Sequence, residues 1–414
     1  MHVCFLNRSY WPDQAATGQL LTELAEDLVA RHGCRVTVVA GRALHASAAG
    51  GNRGSGRWPV EREEHQGVTI LRANGTRFRP RRFAGRAANY LTYFTSAALA
   101  SLRVDRPDVV VSLTDPPIIG LAALATARRT GARFVFLCED IFPEVASLLE
   151  DFHNQQVNRT LDRINRHLLR QADAVVALGD RMRGRLVEEK GADPRRVHVI
   201  HNWADCEAIV PGDKDNAFTR AQGLLDRFVV MHSGNVGMSQ NLDVLIEAAE
   251  RLRSRERIVI LIVGQGAKRE ALEREAVRRG LSNVRFLPYQ PKGQLHDSFA
   301  AADTFLVSLK PGIEGYIVPS KLYGILAAGR PFVAATAPSC EAAQIAREHD
   351  CGVAAAPDDP DDLAARIAWL HDNPDAARRM GANARRAALR FDRRVAVQSY
   401  YDLLARLARV ARAA

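Results

Sequence analysis

Short runs of apolar residues recur along this chain at nearly even spacing, and most are followed by a stretch with helical periodicity. Val3–Leu6, Val36–Ala40, Val68–Ala73, Val109–Leu113, Arg133–Cys138, Ala174–Leu178 and Val197–Ile200 form a first series. VVVSL and AVVAL are apolar throughout, as strands covered on both faces by helices must be. Strands alternating with helices imply a parallel sheet. The alternation lapses in the polar stretch PGDKDNAFTRAQGLLD and resumes with FVVMHSG, then Arg257–Val263, Val284–Leu287, Thr304–Ser308, Pro331–Ala335 and Gly352–Ala355. With 414 residues the chain is too long for one ordinary core. The expectation is an α/β protein of two doubly wound domains: residues 1–205, a linker over 206–226, and residues 227–390. A closing helix, 391–414, is expected to pack back on the first domain. Ligands of such sheets bind outside the carboxyl ends of the strands, so a cleft between the domains is the expected site.

Composition narrows the class further. Hydrophobic residues are 47% and charged residues 25%, and 57 Lys and Arg face 47 Asp and Glu for a net charge of +10. Mixed charge without long single-sign runs excludes a disordered tail or low-complexity function. Six cysteines lie far apart, without Cys-x-x-Cys or zinc spacing, so they read as buried thiols in a reducing compartment and no metal is expected. The start MHVCFLNRSYW has no basic leader, and no apolar stretch approaches the roughly 18 residues of a membrane span. A cytoplasmic protein, at most peripheral on the inner face of the plasma membrane, is expected, with no role in nucleic-acid binding.

Several loops offer chemistry. The loop after the first strand lacks G-x-G-x-x-G, which disfavours a nicotinamide or flavin enzyme, and no P-loop occurs. Thr17 and Gly18 stand at the following helix start, where amides can meet a hydroxylated substrate or simply be capped. In the second half, Gly234, Asn235, Gly237 and Gln240 occupy a turn that can cradle phosphate. Gly264 begins a second glycine pair, and the loop from Leu287 to Tyr289 can pack a flat base. KPGIEGYIVPSKLYGILAAGRPFV places Glu314 and Gly315 in a loop, then Pro319 and Ser320 at a helix start and Lys321 in its first turn. A cation there opposes the helix dipole unless an anion accompanies it, so Lys321 points to phosphate. CEDIFPEVA delivers Glu139, Asp140 and Glu144 from the first domain, as acids for chemistry or as helix caps. His45, His201 and His232 have no metal spacing and read as loop or core residues.

Two segments interrupt the pattern. The glycine-rich stretch 41–59 reads as a loop at the top of the first sheet. Residues 76–106 hold Arg77, Arg79, Arg81, Arg82, Arg86, Arg103 and Arg106 around NYLTYFTSAALASL, which suits an anionic membrane surface. The same stretch also reads as a crossover helix whose core stripe is Leu91, Phe94, Ala98 and Leu102.

Taken in order, LNRSYWPDQAATGQLLTELAEDL, VFLCEDIFPE, VIHNWAD, HSGNVG, IVGQGAKREALE, VRFLPYQPKGQL and VPSKLYGILAAGRP resemble the family-4 retaining glycosyltransferases of GT-B fold. The resemblance is closest to the branch of bacterial exopolysaccharide, colanic-acid and O-antigen synthesis, and it covers nearly the whole chain. It implies a nucleotide-diphosphate sugar as co-substrate, no other cofactor, no obligatory metal, and a lipid-linked or glycan acceptor. It further implies that Gly264 and Leu287–Tyr289 lie near the base and Glu314-Gly315 near the sugar. Ser320 and Lys321 would lie near ribose and diphosphate, and Asp140 with Glu139 at the reaction centre. The chain departs from the family pattern where Gly324 takes the place of the second of two glutamates. Asn235 and Gln240 stand where Arg and Lys often hold the diphosphate, and Glu139-Asp140 where His-Asp is common. The leading expectation is a retaining sugar transferase of surface polysaccharide assembly. A sugar-nucleotide epimerase of similar build and a degenerate partner subunit are the alternatives.

Overall fold

A computed structural model describes residues 1–13, 15–42, 60–76, 78, 83–149 and 154–413. The chain divides into two compact units: residues 1–201 with 396–414, and residues 202–395.

Unit 1 is built on a sheet of eight strands: β1 (His2–Leu6), β2 (Arg35–Gly41), β3 (Val60–His65), β4 (Val68–Ala73), β5 (Val109–Ser112), β6 (Arg133–Cys138), β7 (Ala174–Ala177) and β8 (Val197–Val199). Their order is β3-β4-β2-β1-β5-β6-β7-β8. All neighbours are parallel except β3, which pairs antiparallel with β4 in register Val60↔Ala73 to His65↔Val68. Every residue of β1, β5 and β7 is buried, His2 and Ser112 at the ends of β1 and β5 included, as their otherwise apolar sequences require. The strand order reverses between β1 and β5, whose registers run Val3↔Val109 to Leu6↔Ser112. The loops leaving these two strands therefore border the crevice where open α/β sheets take their ligands.

The helix Phe83–Ser101 packs on β2, β4 and the helix Ile119–Thr130. Its buried face is Tyr93, Ser96, Ala97 and Ala100, whereas Leu91, Leu99 and Leu102 are 58%, 40% and 58% exposed. This corrects the expected core stripe of Leu91, Phe94, Ala98 and Leu102. The small residues let the helix approach the sheet closely, with Tyr93 donating to the Val39 carbonyl at 3.3 Å, and the leucines are left outside. Arg77, Arg79, Arg81 and Arg82, the side chain of Arg86, and residues 43–59 with His45 fall outside the described residues.

Unit 2 has six parallel strands: β9 (Phe228–Ser233), β10 (Ile258–Val263), β11 (Val284–Leu287), β12 (Thr304–Ser308), β13 (Phe332–Ala335) and β14 (Gly352–Ala355). Their order is β11-β10-β9-β12-β13-β14, a doubly wound sheet reversing between β9 and β12. The run IVILIV of β10 is wholly buried. Residues 206–226 belong to this unit. Asn216 caps the helix Ala217–Ala221 by accepting from Thr219 N at 2.9 Å and donates to the Asp297 carbonyl at 3.1 Å. All six cysteines are buried and unbridged. No described helix is long and apolar enough to cross a membrane, and no group of three metal-ligating side chains occurs among the described residues.

Candidate functional site

In unit 2 three loops at the carboxyl edge pack backbone against backbone. Gly234, just past β9, has φ 132° and donates to the Val263 carbonyl at 2.9 Å. Gly264, just past β10, has φ 149°, and a Cβ there would lie 1.8 Å from the Gly234 carbonyl oxygen. Only glycine fits such an approach. Gly264 N in turn donates to the Leu287 carbonyl at 3.0 Å, which brings the end of β11 to the same cluster. Tyr289 follows, 45% exposed.

Gln240 is committed within its own turn: its Oε1 accepts from Gly237 N at 2.9 Å and its Nε2 donates to Ser239 Oγ at 2.8 Å. Asn235 crowds Gly237, where a Cβ would stand 2.7 Å from Asn235 Nδ2. Lys310 N donates to the Ser239 carbonyl at 2.8 Å, tying the loop that carries Glu314 and Gly315 to this turn. Gly315 takes a left-handed φ of 78°, and Glu314 bridges to Ile317. Ser320 precedes the helix Lys321–Ala327, and its side chain makes no capping bond.

Lys321 brings a positive charge to this edge. Its terminal atoms lie where a Cβ on Gly234 would touch them, at 3.6 and 3.7 Å, and its Nζ is 3.2 Å from His232 Nε2. Among the described residues no carboxylate pairs with it. Burial lowers the ammonium to about 7. His232 on β9 is fully buried and held well below its usual value, by burial first and then by the Lys321 charge, so it is neutral. Its Nε2 also lies 3.3 Å from the Asn235 carbonyl. The helix start alone points to Lys321, and His232, expected to be a loop or core residue, is indeed buried in β9; what the sequence does not show is that the two meet. Their contact spans 89 positions and left no local signal.

Gly324, the position of the missing glutamate, aims its Cβ direction at Phe299 (3.3 Å) and Ile209 (3.9 Å). A longer side chain here must first pass that apolar contact.

In unit 1 the loops after β1 and β5 meet through Arg8 and Asp115. Arg8 N donates to the Asp115 carbonyl at 2.8 Å, and the guanidinium grips the carboxylate through Nε and Nη2, each at 3.2 Å. The same guanidinium lies 4.9 Å from the centre of the Tyr90 ring. Beside them, after β6, Asp140 N donates to Thr114 Oγ1 at 3.2 Å. Burial, with the Asp115 charge second, pushes the Asp140 carboxyl up to about 7. Burial and then Asp140 push Glu139 up to about 8. Two neighbouring acids that titrate near neutrality suit proton handling. Arg8 and Asp115 escaped the sequence reading because they are 107 residues apart.

The remaining candidates separate. Gly18 is buried against Ser9, where a Cβ would lie 2.6 Å from Ser9 Oγ, and Thr17 stands beside it on the helix Ala16–Ala30. Glu144 is not a free acid. Its Oε1 accepts from Lys190 Nζ at 2.6 Å, and that buried ammonium also donates to Asp162 at 2.6 Å. This triad joins three segments of unit 1 and gives Glu144 a structural task.

Residues 16–203 match the glycosyl transferase 4-like domain and residues 214–387 the glycosyl transferases group 1 model. The chain is 29% identical over 287 residues to the probable glycosyltransferase WbjE of Pseudomonas aeruginosa, covering 68% of this chain and 70% of that one. It is 29% identical over 232 residues to the putative colanic acid biosynthesis glycosyl transferase WcaI of Escherichia coli, covering 54% of this chain and 56% of that one. In three dimensions it is similar to HepE of Anabaena, whose crystal structure is a complex with UDP. The TM-score is 0.74 at 17% identity, over 98% of this chain and 100% of that chain.

Proposed function

The chain belongs to the group 1 glycosyl transferases with a 4-like first domain, of GT-B fold, and from that premise we propose a specific division of labour. Unit 2 holds a nucleotide-diphosphate sugar, and unit 1 holds a lipid-linked glycan acceptor of surface polysaccharide synthesis. The sugar moves with retention of anomeric configuration and without an obligatory metal. The observation that carries the reading is Lys321: a half-buried lysine that no carboxylate pairs among the described residues, its ammonium between the Gly234 backbone and a neutral histidine. An ammonium so placed is costly in the empty protein and is stabilised by an arriving anion.

In the transfer the bond from the anomeric carbon to the diphosphate oxygen breaks as the acceptor oxygen bonds to the same face. The acceptor proton passes to the departing phosphate oxygen, so no protein nucleophile is needed. Lys321 stabilises the charge that develops on the diphosphate. Asp140, with Glu139 beside it, accepts a hydrogen bond from the acceptor hydroxyl in its ionised form and so orients it.

The proposed workplace is the inner face of the plasma membrane. The exposed leucines of the helix Phe83–Ser101 and its turn support this, together with the arginines that precede it in sequence. The deciding experiment incubates the protein with a panel of nucleotide sugars and lipid-linked acceptors and follows diphosphate release and the anomeric configuration of the product. Release that depends on acceptor, with the donor configuration kept, supports the proposal. An inverted product, or an epimerised donor without transfer, overturns it.

A further inference from the structure

The glycine cluster of unit 2 has a tie that neither the glycines nor Lys321 explain. Arg269 opens the helix Arg269–Arg278, and its side chain is only 14% exposed. A cation in the first turn of a helix opposes the dipole. This guanidinium instead reaches back to the strand ends. Its Nη1 donates to the carbonyl of Gly264 and, at 2.7 Å, to that of Leu287. Its Nε donates to Glu273 Oε1 at 2.8 Å, and its carbon lies 5.9 Å from the centre of the Phe286 ring.

The geometry matters because β11 is an edge strand. It has β10 on one side and no described strand on the other, and its four residues are all half-buried. A loop leaving such a strand is poorly held by the sheet alone. One backbone bond, from Gly264 N to the Leu287 carbonyl, joins it to the loop after β10. Arg269 adds a planar, permanently charged bridge across the same two carbonyls. Between and beyond these carbonyls stand Gln265 and Tyr289, whose hydroxyl lies 3.5 Å from the Gln265 carbonyl.

We propose that Arg269 is a positioning residue for the base of the donor nucleotide, fixing the separation of the loops after β10 and β11 and with it the choice among bases. It touches no reacting atom and acts through Gly264 and Leu287. The inference rests on the reading that these loops receive the nucleotide, and the test keeps the two apart.

Calorimetry with uridine, guanosine and adenosine diphosphates is run on the full chain, on Arg269→Met and on Arg269→Lys. Inorganic pyrophosphate serves as a competitor that lacks a base. The parent should favour one base by about tenfold or more, the scale of a few directed contacts. Arg269→Met should compress that ratio to about threefold or less, with pyrophosphate competition unchanged within about twofold, and Arg269→Lys should restore part of the ratio. A ratio unchanged in Arg269→Met overturns the proposal, whatever happens to absolute affinity. So does a parallel loss of pyrophosphate competition, which would mark a merely structural tie. A parent that binds all three diphosphates alike overturns this inference and leaves the transferase reading standing. A parent that binds none overturns both.

Discussion

Replacing Lys321 by Met should weaken nucleoside-diphosphate binding while making the protein more stable, a pair of effects that a structural lysine cannot produce. The binding loss follows from a charge-assisted hydrogen bond to the diphosphate, worth about 1.5–3 kcal/mol, or roughly 10- to 150-fold in Kd. The stability gain follows from the empty site. Burial lowers the ammonium from 10.5 to about 7, so the unfolded chain binds a proton that the folded one releases between those values. The contribution of Lys321 to stability therefore rises with pH across that window and is least favourable below about pH 7, where the charge must be kept inside. Met removes the burden, and a gain of about 1–3 kcal/mol, a few degrees in Tm, is expected near pH 7 and none at pH 10.5. Binding carries the complementary signature. A bound diphosphate raises the lysine again, so nucleotide binding takes up a proton above pH 7, and affinity should fall by up to about tenfold per pH unit from 7.5 to 9. The last ionisation of the diphosphate, near pH ~6, lies below that window. Calorimetry in two buffers of different ionisation enthalpy measures the proton directly. Affinity that is flat from pH 7.5 to 9 in the parent, or a Met variant that binds normally, would refute the reasoning.

Asp140→Asn should abolish transfer and leave diphosphate affinity within about twofold in calorimetry. Because burial raises the Asp140 carboxyl from 3.8 to about 7, the stability it contributes is present below pH 4 and lost as pH rises through 7. The Asn variant should accordingly melt above the parent at pH 8, by the equivalent of about 1–3 kcal/mol, and match it at pH 4. Gly264→Ala, whose Cβ meets the Gly234 carbonyl, should cost about 3 kcal/mol or more, against about 1 kcal/mol for Gly280→Ala in open space; thermal melts compare them. Lys190→Ala strands two carboxylates and should cost about 2–4 kcal/mol, whereas Glu144→Gln should keep its turnover per folded molecule if Glu144 is structural.

The strands were legible in the sequence because most are buried on both faces, which leaves continuous apolar runs such as VVVSL and IVILIV. β3, VEREEH, carries no such mark: it is an edge strand, none of its residues is buried and Arg62, Glu63 and Glu64 are exposed, and four of its six residues are charged at neutral pH. The glycine turns and Lys321 could be read because each is a local conflict, a left-handed backbone or a cation at a helix start. Arg8, Asp115 and His232 could not, since each acts through a partner that only the sheet order brings near. Arg269 lay between these cases. Its place at a helix start was visible, but the two carbonyls it bridges belong to different strands.

The helix Phe83–Ser101 shows how a misassigned face can change a functional argument. Two apolar stripes fit its periodicity, and the one that faces the sheet is the smaller, so Leu91 and Leu99, with Leu102 in the turn just past the helix, are turned outward. Three half-exposed leucines, with five arginines at 77–86 just before them in sequence, offer the two forces that would hold the protein on an anionic bilayer in the proposed reading. The inward side of the same helix carries Tyr90 over Arg8, which grips Asp115 next to Asp140. One helix thus faces outward with leucines and inward toward the acids of unit 1, an arrangement that the proposed transfer to a lipid-linked acceptor would use. Burying each leucine adds about 1 kcal/mol and each arginine near the surface about 1 kcal/mol. Replacing Leu91, Leu99 and Leu102 by Ser should therefore lower co-sedimentation with anionic vesicles about tenfold or more at any salt. Replacing the five arginines should remove the salt-sensitive part instead. Neither change should alter diphosphate affinity. Vesicle binding that survives the leucine changes, or that falls equally when Arg378, Arg379, Arg385, Arg386 and Arg390 are replaced, would leave only the global charge, and the helix would be an ordinary crossover.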